Sequence, residues 1–157
     1  MNQFKIIRAK SLEFFTHKAA VPFVLGFRKA KRFDYLMEDL EQFPEGTLGK
    51  DLAIHLKKNN FSLLKNYERH DCKHIILGYE MDELGEASMQ FYFLGARQYS
   101  FPVVITVMVC SVIMPDYWKY FYQEFKKGRK GLKMNGLDFN KLVHQKTIDL
   151  RNTYKRA

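Results

Sequence analysis

The sequence predicts an all-α protein, a single-domain bundle of about six to eight helices. Apolar residues recur three and four positions apart in one segment after another, which aligns them along one side of a helix. Turn-forming clusters such as Pro44-Glu45-Gly46 and Asn59-Asn60 separate these segments at short intervals. Only Val103 to Met114 has the β-branched density of a strand, and no second run exists to pair with it. With 157 residues, 46% of them hydrophobic, the chain can bury a sizeable core, and neither a repeat nor a long linker divides it. Fourteen Phe and nine Tyr suit that core, and they equally suit a flat or long apolar ligand.

Residues 3–20 mix Phe4, Ile6, Ile7, Leu12, Phe14 and Phe15 with an almost wholly basic polar side. Within residues 1–30, such a basic amphipathic helix can lie in a membrane interface or dock on its own domain. A helix is expected from Phe33 to Phe43, with Phe33, Leu36, Met37, Leu40 and Phe43 on one stripe. Thr47 is the expected N-cap of the next helix, which carries Leu48, Leu52, Ile54 and Leu56 to about Lys58. His55 on that helix reads as surface or packing. Another helix is expected from about Tyr67 to Leu77, and Asp82 caps the one after it, which ends near Gly95. Tyr92 and Arg97 could line a pocket, although an aromatic at helical spacing is more often core.

Pro102 opens an apolar helix to Met114 that is either buried or apolar on an outer face. At roughly a dozen residues it falls short of the roughly twenty a transmembrane helix needs. Asp116 to Lys126 is aromatic and amphipathic, and reads as an interfacial anchor or a homodimer surface. Lys126 to Gly136 reads as a loop, followed by a last helix from about Asp138 to Tyr154 with Leu142, Ile148 and Leu150 for packing. His144 in it reads as incidental.

Charge is segregated along the chain. The net +9 divides into +7 over residues 1–32, −6 over 33–118 and +8 over 119–157. Two basic ends around an acidic middle do not make the continuous stripe that nucleic acid requires, and no nucleic-acid motif accompanies them. They fit anionic lipid headgroups, where each Lys or Arg contributes about 1 kcal/mol. Two cysteines, Cys72 and Cys110, exclude a disulfide framework and point to a reducing compartment. Met1 to Lys10 lacks the apolar region of a signal peptide. The expected location is cytoplasmic and peripheral on the inner face of a bacterial membrane, or on the matrix side of the mitochondrial inner membrane.

The chemistry concentrates in His70 to Glu86, HDCKHIILGYEMDELGE. On a helix, His70 and His74 are an i,i+4 pair about 40° apart on one face, and Asp71 lies about 60° round from His74. Glu86 would lie about 18 Å further along a continuous helix, so it must return on a second element. Gly78 and Gly85 permit that return. Two imidazoles and two carboxylates make a hard-to-borderline site for a divalent metal, Zn before Fe or Mn. Cys72 faces about 200° away from His70 and is not expected to bind.

His70, Asp71, His74 and Glu86, spaced HDxxH-x11-E, resemble the signature of the fourth protein of coenzyme Q (ubiquinone) biosynthesis. Gly78, Gly85 before Glu86, and Gly46-Thr47-Leu48-Gly49 followed by Leu52, Ala53 and Leu56 fit the same family. The resemblance spans roughly Arg32 to Tyr154 and weakens after Pro115. It implies an all-helical protein at the membrane, in company with other quinone-biosynthesis proteins, that binds a divalent metal and a prenylated, isoprenoid-tailed quinone precursor. It further implies metal-dependent oxidative decarboxylation, in which a hydroxyl replaces the ring carboxylate of a prenylated hydroxybenzoate. His70, His74 and Glu86 would then be ligands. Asp71 would be a ligand or would orient a histidine, and Asp71 and Glu86 are the candidate proton-transfer groups. The alternatives are a non-catalytic isoprenoid-binding scaffold with a structural metal, and a metal-dependent hydrolase.

Overall fold

A computed structural model describes residues 32–155, and the amphipathic segment expected at residues 1–30 lies outside them. The described residues contain eight α-helices and no strand, as the apolar spacing predicts. They fall into two compact units, residues 82–129 and residues 32–81 with 130–155.

The second unit begins with extended backbone and a short helix, α1 (Met37–Glu41). The longer helix expected from Phe33 does not form. Asp34 N–H donates to Asn140 Oδ1 at 3.1 Å, Asn140 Nδ2 donates to Asp34 Oδ2 at 2.7 Å, and Leu36 N–H donates to Asp39 Oδ2 at 2.8 Å. These long-range and capping bonds engage residues 34–36 before the helix starts, so tertiary pairing overrides the local apolar pattern.

α2 (Leu48–Lys58) starts where expected, with Thr47 Oγ1 accepting from Lys50 N–H at 3.4 Å. Its other early donors go elsewhere. Leu48 N–H and Gly49 N–H donate to the carbonyls of Gln145 and Val143, both at 2.9 Å, and Thr47 forms an antiparallel bridge with Lys146. This explains why the single helix expected from Asp138 to Tyr154 is broken into α7 (Phe139–Leu142) and α8 (Thr147–Tyr154). The residues between them supply carbonyls to a helix start whose N–H groups lack partners of their own. α3 (Glu68–Leu77) packs against α2 and α8 in the same unit.

The first unit holds α4 (Glu83–Gly95), α5 (Phe101–Ile113), a 3-10 turn at Pro115–Tyr117 and most of α6 (Trp118–Lys130). Asp82 caps α4 as expected, with Oδ1 accepting from Gly85 N–H at 2.7 Å. The core joins Ala87, Cys110, Met114 and Phe121, and Phe91 stacks on Phe121 at 4.4 Å.

α6 runs four residues beyond Lys126, into the stretch expected to be loop, and Gly128 lies within it. A Cβ on Gly128 would lie 2.0 Å from Tyr92 O, and one on Gly95 would lie 2.0 Å from Phe125 O. The two backbones cross in contact at a pair of glycines, so Gly128 serves close approach and not chain reversal. Tyr92 is fully buried in this crossing, and burial pushes its hydroxyl up to about 12, so it belongs to the core. Arg97 is exposed and adopts a left-handed backbone (φ 60°).

Among the described residues no single helix is long and apolar enough to cross a membrane. α5 and α6 together have the length and composition, but they are bent by 103° at the break.

Candidate metal centre

α3 places its polar residues inward. His74 is 1% exposed, Asp71 and Glu68 are also buried, and His70 is partly covered. Arg69 reaches from the first turn to Leu137 O, with Nη2 donating at 2.9 Å, and stacks over Phe139. At the other end Gly78 takes the left-handed conformation (φ 64°, ψ 40°). Its N–H donates to Ile75 O and the N–H of Tyr79 donates to His74 O at 3.1 Å, the paired bonds of a Schellman turn. Gly78 thus ends the helix as its sequence position suggests.

The His70 and His74 rings lie on one face, with centroids 4.8 Å apart, as their i,i+4 spacing requires. His74 Nδ1 donates to the carbonyl of Tyr79 at 3.3 Å. A carbonyl only accepts, so this contact places a proton on Nδ1, and a neutral ring would then carry its lone pair on Nε2. His70 Nδ1 faces Asp71 Oδ1 at 3.4 Å, which favours the same tautomer. Tyr67 packs against the His70 ring at 4.8 Å.

On α4, Glu86 Oε1 accepts from Gln90 Nε2 at 2.6 Å, an i,i+4 bond from a buried amide. His70 and His74 on α3, with Glu86 on α4, are a group that could bind a metal ion. Asp71 is not in this group; its carboxylate is the neighbour of His70 Nδ1. Cys72, expected to point away, is fully buried, and burial raises its thiol far above the ordinary range. Cys110 is likewise buried and pushed up to about 12, first by burial and then by the charge of Glu86. Neither thiol offers a thiolate.

Two imidazoles and one carboxylate are a donor set that can hold a divalent metal ion.

A crystal structure from Nostoc punctiforme, of a protein named as a candidate for ubiquinone biosynthesis, has a similar fold. The likeness covers 98% of this chain and 82% of that one, with a TM-score of 0.56 and 19% sequence identity. At that identity the likeness establishes the fold. No family model and no curated protein matches the chain.

Sequence reasoning missed the groups that hold the candidate ligands. Gln90 had a readable signal, an amide four residues after a carboxylate on one helix. The carbonyl of Tyr79 had none, because every residue carries one. His55 is the other addition. Its Nε2 is buried and lacks a hydrogen-bond partner, and burial lowers its pKa below 6.5 against the opposing charge of Glu80.

Proposed function

We propose that this protein binds a divalent metal through His70, His74 and Glu86 and acts at the membrane on a prenylated hydroxybenzoate precursor of a quinone. One observation carries the reading: each of the three residues is held through a second polar atom, His70 by Asp71, His74 by the Tyr79 carbonyl and Glu86 by Gln90. Ligands braced in this way are the mark of a metal site, whereas a chance pair of helical histidines has no need of such partners. The HDxxH-x11-E spacing and the fold shared with the Nostoc protein named for ubiquinone biosynthesis support the choice of pathway.

A bound metal would supply Lewis acidity toward the substrate carboxylate and a site for dioxygen. The residues do the rest. The Asp71 carboxylate, beside His70 Nδ1, keeps that ring oriented and is placed to accept a proton as the ring carbon loses CO2 and gains a hydroxyl. Glu86, steadied by Gln90, offers a second carboxylate for proton transfer. The exchange of carboxyl for hydroxyl is a two-electron oxidation: water supplies the hydroxyl oxygen, CO2 leaves, and dioxygen takes the two electrons with two protons to become hydrogen peroxide.

The apolar tail and the membrane are drawn in by α5. Phe101, Val104, Ile105, Met108 and Val112 lie at i, i+3, i+4, i+7 and i+11 and are all exposed, and no residue of α5 is charged. Trp118 and Tyr122 on α6 are exposed as well, in a helix that also carries Lys119, Lys126, Lys127 and Lys130. Apolar residues beside Trp, Tyr and Lys are the composition of a surface resting in anionic headgroups. A homodimer through the same face is the second use this stripe could serve.

Incubating the metal-loaded protein with a prenylated 4-hydroxybenzoate in air, followed by mass spectrometry, tests the reaction. The decarboxylated, hydroxylated product is expected from wild type and not from Glu86→Gln. Retention of the prenyl compound without turnover by either protein would overturn the enzymatic reading and leave a lipid-binding scaffold.

A further inference from the structure

The last four carbonyls of an α-helix have no partner within it. In α3 they belong to His74, Ile75, Ile76 and Leu77, and each is satisfied from outside the helix. Tyr79 N–H takes His74 O, and Gly78 N–H takes Ile75 O. The remainder comes from the C-terminal segment of the chain. Arg151 Nη2 donates to Ile75 O at 2.8 Å and Arg151 Nε to Ile76 O at 3.4 Å, while Lys155 Nζ donates to Leu77 O. Lys155 Nζ also lies 4.3 Å from the centroid of the Tyr79 ring. Two cations at the negative end of a helix are favourable on charge alone. The Arg151 guanidinium packs directly over the turn, since a Cβ at Gly78 would meet its carbon at 3.4 Å, in ordinary contact.

We propose that Arg151 and Lys155 are positioning residues for His74, acting through the turn at Gly78 and Tyr79. The route is short and continuous. Arg151 and Lys155 fix the last turn of α3, and Lys155 fixes the Tyr79 ring. The Tyr79 peptide holds His74 twice, its N–H on the His74 carbonyl and its carbonyl on the imidazole Nδ1. Loss of the clamp lets the Tyr79 carbonyl move, and with it the group that selects the Nδ1–H tautomer. The consequence for metal binding rests on the reading of His74 as a ligand, but the consequence for the ring does not.

The test uses full-length, metal-free protein labelled at histidine nitrogen, as wild type, Arg151→Gln, Lys155→Met and Arg151→Lys. Ring nitrogen shifts report the His74 tautomer, and competition with a chromophoric chelator reports Zn2+ affinity. Wild type should hold His74 as one Nδ1–H tautomer. Arg151→Gln and Lys155→Met should mix the tautomers and weaken Zn2+ by about tenfold at unchanged helical content, and Arg151→Lys should restore part of both. If Arg151→Gln does not fold, Lys155→Met alone carries the comparison. A His74 tautomer that is the same in wild type and Lys155→Met would overturn the proposal, even with tight Zn2+ binding. A tautomer that mixes in Lys155→Met while no variant binds Zn2+ would support the positioning role and sink the metal reading instead.

Discussion

α3 and α5 are similar in length and opposite in composition, and each sits where its composition alone would not put it. α3 carries six charged or imidazole side chains in ten residues, yet Glu68, Asp71 and His74 are buried. α5 has no charged residue in thirteen, yet only Val103 and Cys110 are buried, and a full stripe of its apolar side chains is exposed. Burying polar groups is costly unless they find partners. In α3 two of the three have clear partners: the Tyr79 carbonyl for His74, and His70 for Asp71. The exposed stripe of α5 is the converse case, since an apolar face left in water marks a surface built for something else. The lesson of the pair is that function is located by departures from the inside-out rule, and by whether each departure is compensated within the chain.

The comparison can be broken most directly by truncation. Leu77→Ala, in the fully buried end of α3, should cost about 2–5 kcal/mol, whereas Val112→Ala, 80% exposed on α5, should stay within about 0.5 kcal/mol. Equal losses in denaturant unfolding would mean that the α5 face is covered in the free protein. Asp71→Asn should leave thermal unfolding of the metal-free protein nearly unchanged and weaken metal binding by about 10–100-fold, read by chelator competition. An unchanged affinity would remove Asp71 from the site.

A smaller effect is expected from Val112→Asp, which removes about 1.5 kcal/mol of apolar contact with lipid. Co-sedimentation with anionic vesicles should fall about tenfold while stability in solution holds. If the variant instead changes only the oligomeric state, the stripe is a dimer surface. The smallest effect concerns His55. Burial lowers its pKa below 6.5, so the unfolded chain takes up that proton first as the pH drops. Stability fully present above 6.5 is therefore lost as the pH falls below it. His55→Gln should make the acid-side decline in melting temperature shallower, and an identical slope would show that His55 makes no contribution.

Local signals were legible. Thr47 and Asp82 cap the helices they precede, Gly78 ends α3, and the i,i+4 spacing puts His70 and His74 on one face. What the sequence misassigned was decided by distant partners. Residues 33–36 stay extended because Asp34 pairs with Asn140, more than a hundred positions away. The final helix breaks because its carbonyls serve the start of α2. Gly128 looked like a loop residue because composition does not reveal that a neighbouring backbone touches it. The candidate ligands were readable because their side chains are distinctive, and the Tyr79 carbonyl was not, because it is shared by every residue.

The most direct measurement is the metal content of protein purified without a metal-affinity column, by elemental analysis beside native mass spectrometry, for wild type and His74→Ala. About one equivalent of Zn, Fe or Mn per chain in wild type, lost in His74→Ala with the helical fold retained, is the expected result. No metal in either protein, with both folded and with none taken up on adding Zn2+, Fe2+ or Mn2+, would contradict it. The buried histidine face of α3 would then be a structural feature of the bundle.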